Sequence, residues 1–121
     1  EFEKAIADFR KAFAINPQHE EALNNLGNTL MGLGQFQDAI ANYNKAIQIR
    51  ECFPEAHNNL GIALLKTKRP ELALTCFLRA ISIKPDFAKA FSGRGDALME
   101  LLAEVYGLVT GPPAWRTRWP R

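Results

Sequence analysis

One pattern returns along this chain of 121 residues at an interval of 34, and this period constrains the fold more than any other feature. A fixed period of roughly 20–50 residues indicates stacked supersecondary units, each too small to bury its apolar face alone. Such arrays mostly bind other chains along an extended surface rather than perform chemistry. The positions in register are Ala5, Ala39 and Ala73; Phe9, Tyr43 and Phe77; Ala12, Ala46 and Ala80; Ile15, Ile49 and Ile83; Asn25 and Asn59; Leu26 and Leu60; Gly27, Gly61 and Gly95; and Leu30, Leu64 and Leu98.

Each period is predicted to hold two helices, because its apolar residues recur three or four positions apart in two separate runs. In the unit 20–53 the first run extends from Ala22 to Leu33, and the second from Phe36 to Ile47. The unit 54–87 repeats both runs. The predicted helices are 20–33, 35–50, 54–67 and 70–84.

The turn inside each unit is predicted from the residue that follows its first helix. Gly34 lies where the backbone needs positive φ, which glycine adopts without a Cβ clash. Lys68 takes the same place in the next unit, where a left-handed residue costs roughly 1 kcal/mol relative to glycine. We therefore expect the second turn to have a different shape.

Both ends of the chain carry incomplete units. Residues 1–19 supply a second helix only, and residues 88–101 supply a first helix only. The repeat pattern fails beyond Met99, so residues 102–121 are predicted to form an irregular extension. Within it, the segment 101–109 is expected either to extend the last helix or to fold back as a substitute second helix. The sequence Gly111-Pro112-Pro113 must break any helix, because proline lacks an N–H and disfavours the α region before it.

The residues in register resemble the motif L-G-x2-L … A-x3-[FY]-x2-A … P of the tetratricopeptide repeat family. The resemblance covers about residues 1–101, with Leu26-Gly27 and Leu60-Gly61 in first helices and Ala39, Tyr43 and Ala46 in a second helix. It implies an all-α fold, a right-handed superhelical solenoid of antiparallel helix pairs. It also implies that the first helices line a concave groove, and that this groove binds a protein or peptide segment.

Asparagines are concentrated on the face that the resemblance assigns to the groove. Helix propensity does not explain them, because asparagine is a poor helix former. A carboxamide donates and accepts hydrogen bonds, so it can hold a peptide backbone whatever the side chains of the peptide. The alternative is that these amides are solvated or bond between neighbouring helices, and we favour peptide binding. The predicted peptide-binding residues are Asn24, Asn25, Asn28, Asn58, Asn59, Ile62 and Lys89.

One group within the family suggests an alternative function. The paired Asn25 and Asn59 resemble the asparagine ladder in the repeats of glycosyltransferases that attach N-acetylglucosamine to serine and threonine, although Gly93 takes that place in the third unit. The main prediction is a non-catalytic binding scaffold. The alternative is the substrate-recognition region of a larger O-linked glycosyltransferase, whose catalytic domain is absent from these residues.

A second group in the family, the co-chaperones of heat-shock chaperones, grips an acidic C-terminus with lysine, asparagine and arginine side chains. Asn28, Asn59 and Lys89 fall on positions that match this clamp. However, Asn24 replaces the first lysine and Gly93 replaces the arginine. A charge-dependent site that lacks two of its three cations loses most of its affinity, so we expect the clamp to be absent.

Charge and hydropathy argue against nucleic-acid and membrane partners. The formal net charge of +2 depends on three arginines after residue 115, and the rest of the chain has 12 basic and 13 acidic residues. This balance does not favour a nucleic-acid surface. No apolar run approaches the ~18 residues of a membrane span.

Neither an enzyme active site nor a cofactor is expected. The repeat places no nucleophile or carboxylate beside His19 or His57. Cys52 and Cys76 have neither the spacing of metal ligands nor that of a disulfide framework. We expect both to be reduced, in a cytoplasmic protein.

The incomplete ends predict head-to-tail self-association. The first helix is expected to bare Ile6, Phe9 and Phe13 toward a missing partner, and the last helix to bare part of Phe91 and Leu98. Two chains stacked end to end would complete a unit across the junction, a heterologous contact that can propagate.

Overall fold

A computed structural model describes residues 1–15 and 19–107, apart from the side chain of Phe13. Within these ranges the chain forms six α-helices and no β-strand, which confirms the predicted all-α class. Residues 108–121 lie outside the described residues, and so does the break predicted at 111–113. The helices are α1 (Phe2–Ile15), α2 (Glu20–Gly32), α3 (Phe36–Ile49), α4 (Pro54–Lys66), α5 (Pro70–Ile83) and α6 (Ala88–Val105).

The helices stack as a curved, right-handed solenoid of helix pairs. Each helix packs against the next one in the chain, most extensively within the pairs α2–α3 and α4–α5. In addition, α2 contacts α4 and α4 contacts α6, whereas α1, α3 and α5 do not contact one another within the described residues. The helices α2, α4 and α6 therefore line the inner side of the curve, and we call the surface that they share the groove.

In each of the two complete units, one buried aromatic ring fills the space between the two helices. Tyr43 is 1% exposed and Phe77 is 0% exposed. A Cβ added at Gly27 would lie 2.5 Å from the Tyr43 ring, and one added at Gly61 would lie 2.7 Å from the Phe77 ring. Both distances are well inside van der Waals contact, so these two positions need glycine for the helices to approach closely.

The two turns inside the units have the same shape, so the expected difference between them is wrong. Gly34 adopts φ of 76° and Lys68 adopts φ of 63°. In both turns, the N–H of the following residue donates to a carbonyl five residues earlier at 2.9 Å. The cost of a left-handed lysine is only about 1 kcal/mol, which the same hydrogen bonds and the packing of the flanking helices offset. Lys68 is exposed, so its side chain extends into solvent.

The last helix is longer than the repeat predicts. Residues 102–105, assigned from the sequence to an irregular extension, are helical and continue α6 to Val105. The segment 101–105 therefore extends the helix instead of folding back on it. Gly107 follows with φ of 65°, a left-handed conformation that glycine adopts freely at the end of a helix.

The first helix is better covered than expected. Ile6 and Phe9 are half-buried, and both pack against the hydrophobic core that includes Leu26 and Tyr43. The prediction that they are bare is therefore wrong, because α2 covers part of the apolar face of α1. Phe91 and Leu98 on α6 are exposed, as predicted.

Candidate peptide-binding groove

The seven predicted site residues divide into buried and accessible ones. Asn24 and Asn58 occupy equivalent positions in α2 and α4, and they are only 7% and 2% exposed. They lie largely within the packing between helices, and Asn24 also lines the depression at the N-terminal ends of α2 and α4. Of the other predicted residues, Asn25, Asn28 and Lys89 are exposed, and Asn59 and Ile62 are half-buried.

A hydrogen bond between two of these asparagines joins successive units. Asn59 Nδ2 on α4 donates to Asn24 Oδ1 on α2 at 3.1 Å. The alternative considered from the sequence, bonding between neighbouring helices, thus describes this pair. Asn59 keeps its Oδ1 for another partner.

A second hydrogen bond connects the core with the groove. The Tyr43 hydroxyl donates to Asn28 Oδ1 at 2.6 Å. Burial raises the pKa of the Tyr43 hydroxyl, so it remains protonated and able to donate at neutral pH. The sequence carried a signal for this bond, since the equivalent pair one period later, Phe77 and Ile62, lacks both polar groups.

The hydrogen bond between Asn59 and Asn24 has no counterpart in the described part of the next junction, where α6 packs on α4. Asn58 Oδ1 is buried and has no hydrogen-bond partner among the described residues. Gly93 stands in register with Asn59 and has no side chain to donate. A Cβ at Gly93 would overlap the Phe77 ring, so the aromatic side chain requires glycine here. Apolar packing therefore replaces the hydrogen bond at this junction.

An open depression of about 390 Å³ lies at the N-terminal ends of α2 and α4. The guanidinium of Arg50 is stacked over the Phe53 ring, 4.0 Å from its centroid, and forms part of the wall. It also pairs with Glu20 at 3.6 Å. The lining residues are Glu21, Asn24, Asn25, Arg50, Phe53 and Glu55.

Sequence reasoning missed the contribution of Arg50 and Phe53. Both belong to the link between α3 and α4, which the helical spacing of the first helices does not include. Phe53 is nevertheless buried, and the adjacent Arg50 is held over its ring. In a sequence, an arginine shortly before an aromatic residue at the start of a helix is only weak evidence for a binding site. The contact between Arg50 and Phe53 becomes evident only in the structure.

Three amides of the groove keep hydrogen-bonding capacity. These are the whole carboxamide of Asn25, Nδ2 of Asn28 and Oδ1 of Asn59, none of which has a partner in residues 1–15 and 19–107. Asn25 and Asn28 lie three residues apart on α2, so their side chains share one face of the helix. Together the three groups can donate to and accept from a peptide backbone.

Two titratable side chains outside the groove, those of His57 and Cys76, lie within the packing of the helices. His57 Nε2 lies 2.9 Å from the Glu51 carbonyl oxygen, which can only accept, so this nitrogen donates and ties α4 to the preceding link. Burial raises the pKa of the Cys76 thiol to about 11. In the described ranges no group of His, Cys, Asp and Glu side chains could hold a metal ion.

None of the helices in the described part of the chain has the length and apolarity to cross a membrane.

Comparison with known proteins identifies the repeats. Family models of the TPR repeat match residues 1–34 and 27–68, and a model of the tetratricopeptide repeat matches residues 54–87. No curated protein sequence matches the chain.

Solved structures share the fold. A crystal structure of MamA is 28% identical over 88% of this chain, with a TM-score of 0.75, and this chain spans only 60% of the length of that one. The first TPR domain of human RPAP3 has a TM-score of 0.83 at 18% identity, covering 87% of this chain and 83% of that one. The first TPR of Spaghetti (RPAP3), bound to the HSP90 peptide SRMEEVD, has a TM-score of 0.82 at 19% identity, covering 84% of this chain and 80% of that one. With its repeats matched from residue 1 to residue 87, the chain belongs to the tetratricopeptide repeat family.

Proposed function

We propose that this chain is a non-catalytic scaffold whose groove binds an extended protein or peptide segment, chiefly through the peptide backbone. The observation that carries the proposal is the set of unengaged amide groups on α2 and α4, contributed by Asn25, Asn28 and Asn59. An extended backbone presents N–H and C=O groups in alternation, which such amides can satisfy. The peptide bound to the first TPR of Spaghetti supports the proposal at the level of the fold.

An acidic C-terminal segment is not the ligand that we expect. Lys89 is exposed at the start of α6, but the other two cation positions of the co-chaperone clamp hold Asn24 and Gly93. Asn24 is buried and bonded to Asn59. Arg94, the residue after Gly93, lies over the Phe91 ring with its guanidinium carbon 4.9 Å from the centroid. We therefore expect the peptide SRMEEVD to bind poorly.

The role in a larger O-linked glycosyltransferase stays a prediction. An asparagine ladder needs equivalent amides on successive first helices. Here Asn25 is unengaged, Asn59 donates to Asn24, and Gly93 takes the third place. The scaffold is the simpler proposal because it needs only the amides of α2 and α4.

The test is a binding measurement with one clean variant and a matched control. A library of randomised heptapeptides, acetylated and amidated, is passed over the immobilised chain, and retained peptides are measured by fluorescence anisotropy. Asn25→Ala is expected to weaken binding by about 1–3 kcal/mol, the cost of unpaired polar groups in a peptide complex. It is cleaner than Asn59→Ala, which would also break the bond to Asn24.

The matched control is Asn44→Ala, which removes an exposed asparagine from α3 on the outer side of the curve. It should leave the affinity unchanged. Equal losses in the two variants, or a retained peptide indifferent to Asn25→Ala, would contradict backbone binding in the groove.

Self-association is a separate proposal, and the repeat register says which residues it would join. Tyr43 lies against Gly27 inside one unit, and the equivalent pair across a stacked junction is Phe9 of one copy and Gly95 of the next. Among the described residues nothing lies within 4 Å of a Cβ added at Gly95. The methyl group of Gly95→Ala would have room within one copy but would meet the Phe9 ring across a stacked junction. The variant should therefore abolish stacking without unfolding the chain. Sedimentation showing one monomeric species for the unmodified chain at millimolar concentration would refute it.

A further inference from the structure

The depression at the start of α2 and α4 carries an excess of negative charge. Glu21 and Glu55 line it, and each lies in the first turn of its helix. Within the part of the chain that the structure describes, neither carboxylate has an ion-pair partner. The one cation in the wall, Arg50, is paired with Glu20 and stacked on Phe53. The depression is thus lined by two carboxylates without an ion-pair partner in the described ranges and by one guanidinium whose charge is already paired.

A buried amide faces the same space. Asn24 lines the depression although its residue is only 7% exposed. Its Oδ1 accepts from Asn59, and its Nδ2 has no partner among the described residues. An amide N–H at the wall of the depression that has no acceptor within the described part of the protein can donate to a ligand that supplies one. The depression therefore offers a donor at its wall as well as carboxylates around it.

These two features complement the same ligand. A lysine or arginine residue in an extended peptide carries a cation on its side chain and a carbonyl oxygen on its backbone. The carboxylates of Glu21 and Glu55 match the cation, and Asn24 Nδ2 matches a carbonyl. The half-buried position of Glu55 reduces solvent screening of the attraction.

We propose that this depression is a specificity pocket for a lysine or arginine side chain of the bound segment, held between Glu21 and Glu55 with a backbone carbonyl at Asn24 Nδ2. The inference rests on the proposed peptide-binding function and specifies the class of partner, a basic extended segment. It also gives a positive reason why an acidic segment binds poorly, since the pocket repels carboxylates in addition to lacking the clamp cations.

The experiment extends the heptapeptide selection. Peptides retained by the chain should be enriched in lysine and arginine. Replacing the basic residue of a retained peptide by glutamine should weaken binding by about fivefold, the upper range for a partly exposed ion pair. In a selection on the double variant Glu21→Gln, Glu55→Gln, the retained peptides should show no enrichment in lysine or arginine. Raising the salt concentration should reduce the preference in the unmodified chain.

The matched control is the double variant Asp38→Asn, Glu71→Gln. It removes the same charge from the first turns of α3 and α5, on exposed sites away from the depression. Its loss of helix-dipole stabilisation should equal that of the test variant, and its preference for basic peptides should persist.

The outcomes separate the two proposals. Enrichment of basic residues that disappears in the Glu21/Glu55 variant and persists in the control supports the pocket. Retained peptides without a basic preference, still weakened by Asn25→Ala, overturn the pocket and leave the scaffold function standing. A basic preference that survives in the Glu21/Glu55 variant also overturns the pocket. No retained peptide at all overturns the scaffold function, and the pocket with it.

Discussion

The two junctions between successive units have the same helix arrangement and different chemistry. Where α4 packs on α2, Asn59 Nδ2 donates to Asn24 Oδ1 at 3.1 Å. Where α6 packs on α4, Gly93 takes the place of that donor, and Asn58 Oδ1 is buried without a partner in the described ranges. The stability of a solenoid is approximately a sum of unit and nearest-neighbour terms. One fold can therefore be maintained by a polar term at one junction and by an apolar term at the next.

The polar and apolar positions change together. Tyr43 needs an acceptor for its hydroxyl and has Asn28 at 2.6 Å, whereas Phe77 needs none and has Ile62 at the equivalent place. The Phe77 ring lies so close to Gly93 that a side chain at that position would overlap it. The aromatic residue thus determines which neighbours the next unit can use. The two junctions should therefore respond differently to substitution.

The largest effect is expected at the apolar junction. Gly93→Ala places a Cβ on the Phe77 ring and should destabilise the chain by about 1–3 kcal/mol through overpacking. Gly95→Ala, two residues along the same helix, meets no described atom within 4 Å and should stabilise the chain by up to about 1 kcal/mol through helix propensity. Urea unfolding of both variants measures the difference. Equal free energies of unfolding would contradict the close contact at Gly93.

The buried asparagines give the second comparison. Asn24→Leu removes the acceptor of Asn59 Nδ2 and should destabilise the chain by about 1–2 kcal/mol. Asn58→Leu removes a buried carbonyl that has no partner in the described residues, so it should be neutral or stabilising. The substitutions are the same at equivalent positions, and thermal unfolding compares them directly. A larger loss for Asn58→Leu than for Asn24→Leu would refute the assignment of the two junctions.

The aromatic pair gives a smaller effect. Tyr43→Phe should lower the free energy of unfolding by about 0.5–1.5 kcal/mol, because it removes the donor to Asn28. Phe77→Tyr should also destabilise, because Ile62 offers its hydroxyl no acceptor. Adding Ile62→Asn to Phe77→Tyr should recover part of that loss. A double-mutant cycle that shows no coupling between positions 62 and 77 would contradict the paired change.

The cysteines give the smallest effect, one on reactivity. Cys52 is exposed in the link before α4, and Cys76 is half-buried in α5. Burial raises the pKa of the Cys76 thiol to about 11, so its thiolate is scarce at neutral pH and becomes more abundant as the pH rises toward that value. A thiol reagent at pH 7.5 should therefore label Cys52 first, and Cys76 should become reactive only at higher pH or in urea. Equal labelling rates in the folded chain at pH 7.5 would contradict the burial of Cys76.

Much of the fold was predictable from local pattern. The ends of α2, α3, α4 and α5 lie within one residue of the predicted ones, since apolar spacing determines which residues can face a core. The equivalence of the Gly27–Tyr43 and Gly61–Phe77 contacts followed from the repeat interval. The shape of the turn at Lys68 did not, because a local cost of about 1 kcal/mol is smaller than the interactions of the surrounding helices.

The candidate site was harder to predict. Helical spacing placed Asn24 and Asn58 on the groove face. Each first helix also packs against helices of the neighbouring units, and this packing covers most of both side chains. Arg50 and Phe53 come from a link with no helical periodicity, so the depression is visible only once α2 and α4 are placed side by side. Which amide is engaged depends on distances of a few ångströms, and the repeat interval alone does not determine them.

The central claim, that the groove binds the ligand, is tested most directly by amide chemical shifts. The isotope-labelled chain is titrated with a heptapeptide retained in the selection, and both backbone and side-chain amides are followed. Shifts are expected in α2 and α4 and in the side chains of Asn25, Asn28 and Asn59, while Asn42 and Asn44 on the outer helix α3 remain unchanged. Shifts confined to α3 and α5, with the groove amides unaffected by saturating peptide, would contradict the account.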